Sequence, residues 1–179
     1  MSKNIVVLSG SPRKNGNTDR LVAAFTAGAE STGKKVTVFR VADMNIAGCL
    51  GCNRCFDGSG VCVQKDDAQI ILDALREADA YVLASPIYFF SLTAQLRLAI
   101  DRTYALLRVS MPASKTALLL TCGANTEKAA EGAIATYNGM CAHSGRENVG
   151  IVLATGLHAP DEIEGRPELD AARTLGSEI

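Results

Sequence analysis

The stretch IVVLSGSPRKNGNT, from Ile5 to Thr18, decides the fold class of this chain. Its first four residues form a short, continuously apolar run, which is typical of a strand buried on both faces of a parallel sheet. The run ends in a loop of small and polar residues that contains Gly10 and Gly16, and a helix-like pattern follows. A buried strand, a polar loop and a helix are the first unit of an alternating α/β protein.

Four further apolar runs of the same kind follow, at residues 36–39, 80–84, 117–120 and 149–153. Helix-like segments alternate with them, at residues 18–30, 68–77, 93–106, 127–142 and 168–175. This order predicts a doubly wound α/β sandwich with five parallel strands, in one domain of residues 1–179. Because the first loop lacks G-x-G-x-x-G, half of a Rossmann fold is disfavoured. The flavodoxin-like strand order 2-1-3-4-5 fits five strands and predicts a ligand between strands 1 and 3.

Length and composition narrow the functional classes. The chain has 179 residues, of which 47% are hydrophobic, and a formal net charge of −1. This charge disfavours a nucleic-acid binder with a basic face, and no apolar run approaches the roughly 20 residues of a membrane span. No signal peptide is visible, so we expect a cytoplasmic protein. In a reducing compartment, six cysteines indicate metal ligands or catalytic groups rather than structural disulfides.

The first loop has the composition of a phosphate site. Ser11, Asn17 and Thr18 place short polar side chains where the first helix begins, and the free N–H groups of a helix N-terminus suit an anion. Arg13 adds a cation. The loop is not a Walker A motif, because residues 10–16 span one residue too many and Asn17 stands in place of the lysine. A monophosphate is therefore favoured over a nucleoside triphosphate with Mg²⁺, and an ordinary polar turn is the alternative.

Aromatic residues follow the third strand. Residues 85–91 read SPIYFFS, with three aromatics side by side in a chain that has five Phe and four Tyr. Loops at a ligand edge are usually polar, so this one predicts either a platform for a flat ring or a subunit interface. A loop folded into its own core is the alternative. Ser91 is expected to cap the next helix, and the small residues around Cys122 and Gly123, after strand 4, would let backbone N–H groups reach a ring edge.

Three segments together resemble a known family. Residues 10–18 (GSPRKNGNT), residues 85–89 (SPIYF) and the pair Asp101-Arg102 are similar to the NAD(P)H-dependent FMN reductase group of the flavodoxin superfamily. The resemblance implies that the first loop holds the FMN phosphate, that residues 86–89 line the isoalloxazine ring, and that the protein forms homodimers or homotetramers with the flavin near the subunit boundary. The candidate FMN-binding residues are Ser11, Arg13, Asn15, Gly16, Asn17, Thr18, Pro86, Ile87, Tyr88, Phe89, Cys122 and Gly123.

Four cysteines lie in the long connection after strand 2, residues 43–67, with the spacing C-x2-C-x2-C-x6-C. They are Cys49, Cys52, Cys55 and Cys62. The spacing is closer to the bacterial ferredoxin run than to the paired CxxC of zinc sites. It also resembles the compact motif of iron–sulfur flavoproteins, which pair FMN with a [4Fe–4S] cluster. A cluster, free or redox-active thiols, and zinc remain open.

The position and order of this cysteine-containing connection can also be predicted. Because strand 2 neighbours strand 1 in the order 2-1-3-4-5, we expect the connection to emerge on the flavin edge of the sheet. Residues 48–64 are long, polar and poor in apolar side chains. Such a segment has little to bury, so we expect it to be ordered only by a metal cluster or a subunit interface.

These observations predict an FMN-dependent oxidoreductase that accepts hydride from NADH or NADPH. The electron acceptor stays open among a quinone, a nitro compound, free flavin, oxygen and an Fe–S centre, so the partner is a small molecule or a redox protein. Since the flavin carries the chemistry, no catalytic side chain is predicted. Two alternatives are an iron–sulfur flavoprotein that carries electrons between proteins without catalysis, and a redox-sensing module that uses the cysteines as its switch.

Overall fold

Five parallel strands form one sheet in the structure, a computed structural model that describes residues 3–179. Their order across the sheet is β2-β1-β3-β4-β5. The strands are β1 (Asn4–Ser9), β2 (Lys35–Arg40), β3 (Ala80–Pro86), β4 (Lys115–Thr121) and β5 (Glu147–Ala154). The flavodoxin-like, doubly wound fold class predicted from the sequence is therefore confirmed.

Helices connect the strands and cover both faces of the sheet. They are α1 (Asn17–Ser31), α2 (Ala68–Glu77), α3 (Ala94–Arg102), α4 (Glu131–Ser144) and α5 (Pro167–Glu178). Three short 3₁₀ helices accompany them, at Val41–Asp43, Thr103–Leu106 and Glu127–Ala130. The helix predicted over 93–106 thus ends as an α-helix at Arg102 and continues in a tighter turn. None of the helices in residues 3–179 is long and apolar enough to cross a membrane.

Both faces of the sheet are buried, which explains why the strands read as continuous apolar runs. In β1, Val6 and Leu8 pack in the layer that contains α2, α3 and α4. Ile5 and Val7 pack in the opposite layer with α1 and α5. Successive side chains of a strand point to opposite faces, so a strand covered on both sides requires apolar residues at every position.

Helices α1 and α5 pack against each other at a very short distance. A Cβ atom added at Gly28 of α1 would lie 1.9 Å from the backbone oxygen of Arg173 in α5. No side chain larger than hydrogen fits there without moving one of the helices. The contact secures the C-terminal helix against the helix that begins at the first loop.

We expect Gly28→Ala to destabilise the fold by about 1–3 kcal/mol, because the methyl group overpacks the contact between the two helices. The matched control is Gly139→Ala in α4, where an added Cβ meets nothing within 4 Å. That change should stabilise the protein by up to about 1 kcal/mol through helix propensity. Urea denaturation of the two variants and the parent measures both effects, and an unchanged midpoint for Gly28→Ala would refute the close helix contact.

Candidate flavin site and cysteine loop

A cavity of about 250 Å³ opens at the carboxyl edge of the sheet, at the point where the chain order reverses between β1 and β3. Loops that follow four different strands form its wall. The lining residues are Ser11, Arg13, Gly16, Asn17, Thr18, Pro86, Ile87, Tyr88, Thr121, Gly123, Leu157, His158 and Pro160. The first loop and the aromatic loop, separated by about 70 residues in the sequence, therefore meet around one space.

The N-terminus of α1 gives this cavity its anion-binding character. Its N-cap residue is Gly16, and no side chain caps the helix there. The first N–H groups of a helix have no intrahelical partner, and those at Asn17 and Thr18 belong to residues on the cavity wall. Together with the exposed Arg13 side chain, they form a cradle of donors and positive charge of the kind that holds a phosphate.

Arg40, at the end of β2, holds the backbone of the first loop in place from the β2 side. Its guanidinium donates to the backbone oxygen of Ser11 at 3.3 Å and to that of Arg13 at 3.5 Å. It also pairs with the carboxylates of Asp19 and Asp43. A charged side chain with four acceptors holds the loop in one conformation. Arg40 was not predicted as a site residue, because nothing in its position on strand 2 signals a contact with the first loop.

The start of α3 fixes the same loop from the other side. The Thr93 hydroxyl donates to the backbone oxygen of Gly10 at 2.9 Å. A Cβ atom at Gly10 would lie 2.4 Å from that hydroxyl oxygen, so the approach requires glycine. Thr93 also accepts the N–H of Leu96 and is the N-cap of α3. The expected cap, Ser91, is instead paired through its backbone with Tyr88 in a tight turn.

The side chains of Asn17 and Thr18 are already engaged within the protein. The Asn17 amide donates to the backbone oxygen of Ala159 at 2.7 Å and accepts the N–H of Ile163 at 3.2 Å. The Thr18 and Thr121 hydroxyls form a hydrogen bond of 2.7 Å. Both residues therefore tie the first loop to the ends of β4 and β5. The resemblance implies that these two residues bind the FMN phosphate. Their backbone N–H groups, rather than their side-chain oxygens, are the donors suited to that role.

The aromatic loop presents Phe89 and Phe90 to solvent. The backbones of Tyr88 and Ser91 form two mutual hydrogen bonds, of 3.0 and 3.1 Å. Between them, Phe89 and Phe90 have φ angles of 48° and 66°, a left-handed conformation that is unfavourable for bulky residues. Phe89 is 96% exposed and Phe90 is 64% exposed. The turn thus places two large apolar side chains at the rim of the cavity, with Tyr88 on its wall.

Three of the twelve candidate FMN-binding residues lie off the cavity wall, and one group on the wall was missed. Asn15, at φ 58°, forms the tip of the first loop, Phe89 points to solvent, and the Cys122 thiol is buried at 5% exposure. The missed residues are Thr121, Leu157, His158 and Pro160. Three of these four residues lie in the loop after β5, and its position at the same edge as the other three loops was the available signal.

A buried ion pair closes the neck of the cysteine loop, defined here as residues 44–67. The two terminal guanidinium nitrogens of Arg102 donate to the Asp66 carboxylate, at 2.6 and 3.0 Å. One of them, Nη1, also donates to the backbone oxygen of Ala47 at 2.9 Å. Their side chains are 1% and 8% exposed. Burial opposes ionisation of Asp66, but hydrogen bonds from Arg102 and from the N–H groups of Ala47 and Ala68 hold the pKa of its carboxyl below the usual range.

The middle of the cysteine loop packs against the 3₁₀ turn after α3. The Phe56 ring stacks on Tyr104, with centroids 5.4 Å apart, and the Arg108 guanidinium lies 3.7 Å from the centroid of the Phe56 ring. The Tyr104 hydroxyl bonds the Asn53 side chain at 3.3 Å. The loop is thus ordered by contacts within this chain. The expectation that only a cluster or a subunit interface could order it was wrong, because it omitted polar and stacking contacts with α3.

The connection emerges on the flavin edge, as expected from the strand order, and then runs away from that edge. It leaves β2 beside the first loop, but Cys49 lies in a second, open cavity with Ile100, Thr103 and Tyr104, near the far end of α3. With a rise of 1.5 Å per residue, the seven residues from the Thr93 cap to Ile100 place this cavity about 10 Å along the helix from the flavin side. The strand order determines where the connection begins. Its path along α3 is determined by packing, such as that of Phe56 on Tyr104.

The four loop cysteines share one neighbourhood. Cys49 and Cys52 are exposed, and Cys55 and Cys62 are half-buried. The pKa of the Cys55 thiol is raised by burial and then by the charges of Cys62, Cys49 and Cys52. No three His, Cys, Asp or Glu side chains in residues 3–179 converge as ligands of a single metal ion. Zinc, which needs its sulfurs about 2.3 Å from one point, would require the loop to rearrange.

The doubly wound sheet with an anion cradle at its switch point defines a flavodoxin-like protein. Residues 3–151 match the family model described as NADPH-dependent FMN reductase. The match covers more than half of the chain, and the chain belongs to this family. The resemblance found in the sequence is thereby confirmed.

A curated relative extends this resemblance to the cysteine-containing branch. An iron–sulfur flavoprotein of Archaeoglobus fulgidus is 38% identical over 97 residues, which are 54% of this chain and 44% of that protein. Other curated relatives that match at similar coverage are also named iron–sulfur flavoproteins. The chain spans about half the length of the curated relatives it matches.

Two solved structures share the fold across nearly the whole chain. An NAD(P)H:quinone oxidoreductase from Methanothermobacter marburgensis has a TM-score of 0.73 and 20% identity, and covers 99% of this chain and 96% of its own. An FMN-dependent NADH-azoreductase from Bacillus anthracis, in complex with FMN, has a TM-score of 0.69 and 12% identity, with 98% of each chain covered. At these identities the likeness shows the fold alone.

We expect Arg102→Leu to destabilise the protein by about 3–5 kcal/mol, because it leaves the Asp66 carboxylate buried without its partner. The neck should open, and trypsin should cleave faster after Arg54 and Lys65 inside the loop. The control is Arg97→Ala, which removes an exposed ion pair of 3.6 Å with Asp101 and should cost about 0–1 kcal/mol.

The pH dependence of the same ion pair follows from the lowered pKa of Asp66. The pair stabilises the fold fully above the unfolded carboxyl pKa of about 3.9, and this contribution disappears as the pH falls through the lower folded-state pKa. The parent should therefore lose more stability on acidification than Arg102→Leu does. Equal acid sensitivity and equal loop cleavage in the two proteins would show that the pair does not close the neck.

Proposed function

We propose that the protein is an FMN-dependent oxidoreductase that accepts hydride from NADPH or NADH and passes the electrons to a small-molecule or protein acceptor. The observation that carries the proposal is the cavity at the switch point, where an uncapped helix N-terminus and Arg13 stand opposite an apolar loop. One end of this cavity suits a phosphate and the other suits a flat ring. Membership of the FMN reductase family supports the same cofactor.

In this proposal the first loop holds the phosphate of FMN. The N–H groups at the start of α1 donate to the phosphate oxygens, and the Arg13 side chain adds a charge-assisted contact. Ser11 and Gly16 lie on the same wall, while Asn15 shapes the turn that joins them. Because Arg40 and Thr93 hold the backbone of this loop in place, the donors are arranged before the cofactor arrives.

The loops after β3 and β4 hold the ring. Pro86, Ile87 and Tyr88 supply an apolar wall, and the lack of a side chain at Gly123 leaves room beside the backbone. His158 lies over Gly123, with its Nδ1 3.5 Å from where a Cβ of that residue would be. When bound, FMN supplies hydride acceptance and electron donation, and the role of these residues is to bind and orient it. The Cys122 thiol is buried, so in this proposal Cys122 contacts the ring through its backbone.

We further propose that Phe89 and Phe90 are covered by a second copy of the chain in a homodimer or homotetramer. Two neighbouring phenylalanines held in a left-handed turn cost conformational energy, and they expose apolar area to solvent. Burial in an interface beside the cavity would offset both. The interface would also place a partner surface at the rim of the flavin site.

The cysteine loop supports a second redox centre, which we propose to be a [4Fe–4S] cluster bound by Cys49, Cys52, Cys55 and Cys62. Four thiols are the donor set for such a cluster, and the pKa of the Cys55 thiol is raised by burial and by the charges of Cys62, Cys49 and Cys52, which supports a shared neighbourhood. A four-iron cluster is wider than one ion, so its ligands need not converge on a point. The iron–sulfur flavoproteins among the relatives support this assignment.

A cluster in this loop would lie toward the other end of α3 from the flavin site, where a partner at the surface could reach it. Helix α3 separates the two sites by about 10 Å along its axis, and Cys49 and Cys52 are exposed. This arrangement is the observation that favours the second candidate function, an electron carrier between proteins. The two functions differ in whether a nicotinamide nucleotide can reduce the flavin directly.

The test of the reductase function is anaerobic addition of NADPH or NADH to the FMN-loaded protein. We expect the flavin absorbance to bleach within seconds to minutes with at least one nucleotide, because the aromatic loop leaves the ring side of the cavity open. Protein stripped of FMN should oxidise neither nucleotide. A flavin that stays oxidised with both nucleotides and responds only to dithionite would assign the protein to the carrier class.

The test of the cluster is metal and sulfide analysis of anaerobically reconstituted protein. We expect about four iron and four sulfide per chain, lost in Cys52→Ser while FMN stays bound. The control is Cys141→Ala, which removes a cysteine on α4 outside the loop and should retain the iron. Background iron in the parent after reconstitution would contradict the cluster and leave the four cysteines as free or redox-active thiols.

A further inference from the structure

A cavity of about 440 Å³ lies at the amino edge of the sheet, the edge opposite to the candidate flavin site. The start of β3, the chain before β4 and the end of α4 surround it. About half of its surface is apolar, with Leu75, Leu83, Ile100, Leu106, Met111 and Met140 among the lining residues, and the other half is polar. Leu8 and Leu83, each 1% exposed, also line it, so the cavity reaches into the core. Its size is in the range of small-molecule sites, and its mixed lining suits a ligand with a polar and an apolar part.

One end of this amino-edge cavity carries a half-buried cation. The Arg146 Nε donates to the backbone oxygen of Ala113 at 3.2 Å, and a terminal nitrogen contacts the Met111 sulfur at 3.4 Å. Its guanidinium carbon lies 5.4 Å from the centroid of the Tyr81 ring. Within residues 3–179, no carboxylate lies within 4 Å of Arg146, whereas Arg102 has one such partner and Arg40 has two.

Arg146 has more donors than its contacts with Ala113 and Met111 use. A guanidinium has five N–H donors, and these contacts use two of them, one on a weakly accepting thioether. Tyr81 is 8% exposed, and burial raises the pKa of its hydroxyl despite the nearby Arg146, so the phenol is a neutral donor beside the cation. His143, Ser114 and Ser144 line the same cavity. The polar end thus offers donors and positive charge, and the rest offers apolar surface.

We propose that the amino-edge cavity is a binding site for a small monocarboxylate with an apolar body, such as a medium-chain fatty acid. The carboxylate bonds the free N–H groups of Arg146, and the hydrocarbon lies against Leu83, Ile100 and Met140. A neutral molecule of the same shape leaves the Arg146 charge uncompensated, so the site discriminates by charge. The flavin site shares no lining residue with this cavity, and the proposal does not depend on FMN binding.

Isothermal titration of the FMN-loaded protein with decanoate, and separately with 1-decanol, tests the proposal. We expect decanoate to bind with one site per chain and decanol to bind at least about tenfold more weakly. Arg146→Met keeps the apolar stem and removes the charge, and it should weaken decanoate by about ten- to a hundredfold, the effect of a charge-assisted hydrogen bond. Arg146→Lys should restore part of the affinity, and decanol binding should be unchanged in both variants.

The matched control is Arg173→Met, which removes an exposed arginine on α5, in the layer on the other side of the sheet, and should leave decanoate affinity as in the parent. Equal binding of decanoate and decanol, or equal weakening by Arg173→Met, would overturn the anion site. A decanoate affinity that falls as the protein concentration rises would also overturn the proposal, because a second copy of the chain would then occupy the amino-edge cavity. The FMN content of each variant, read from its visible spectrum, separates this outcome from any failure at the flavin site.

Discussion

The structure depends most on the fixation of the first loop between the ends of β2 and α3. Arg40 holds the loop backbone from one side, and the Thr93 hydroxyl holds Gly10 from the other. The approach at Gly10 leaves no room for a Cβ atom. Because α1 begins directly after this loop, the same contacts set the direction of its uncapped N-terminus. Every loop of the candidate flavin site is then positioned relative to that helix end.

A second constraint, the buried pair of Arg102 and Asp66, governs the cysteine loop independently of the first. Removing two charges from water is costly, and such a pair is retained where geometry and additional hydrogen bonds offset the penalty. Here the carboxylate also accepts from the N–H groups of Ala47 and Ala68. The consequence is a loop whose two ends are held together beside α3, with its four cysteines in one neighbourhood. The protein thus carries two prearranged regions on opposite ends of one helix.

The sequence was sufficient for the fold and for most of the cavity wall because both depend on local patterns. Apolar runs identify buried strands, and in a parallel sheet the loops after neighbouring strands must meet at one edge. This logic located Ser11, Arg13, Tyr88 and Gly123 on the same wall. It missed His158, since the same logic had not been applied to the loop after β5.

The remaining differences arose from long-range side-chain contacts, which no local pattern encodes. Arg40 meets the first loop and Arg102 meets Asp66 across 27 to 36 residues of sequence. The amide of Asn17 donates one of its two N–H groups to a backbone oxygen 142 residues away, so its side chain ties loops together as well as lining the cavity. The path of the cysteine loop along α3 likewise follows from the stacking of Phe56 on Tyr104. Composition alone made this loop look disordered, because composition does not include such partners.

The most direct test of the central claim, that the first loop is a phosphate cradle for FMN, is to compare the affinities of FMN and riboflavin for the apoprotein and for Arg13→Ala. The two ligands share the ring and differ in the phosphate. We expect FMN to bind far more tightly than riboflavin, and Arg13→Ala to weaken FMN by about 1.5–3 kcal/mol, the value of a charge-assisted hydrogen bond, without changing riboflavin. Equal affinities of the two ligands for the parent protein would contradict the account.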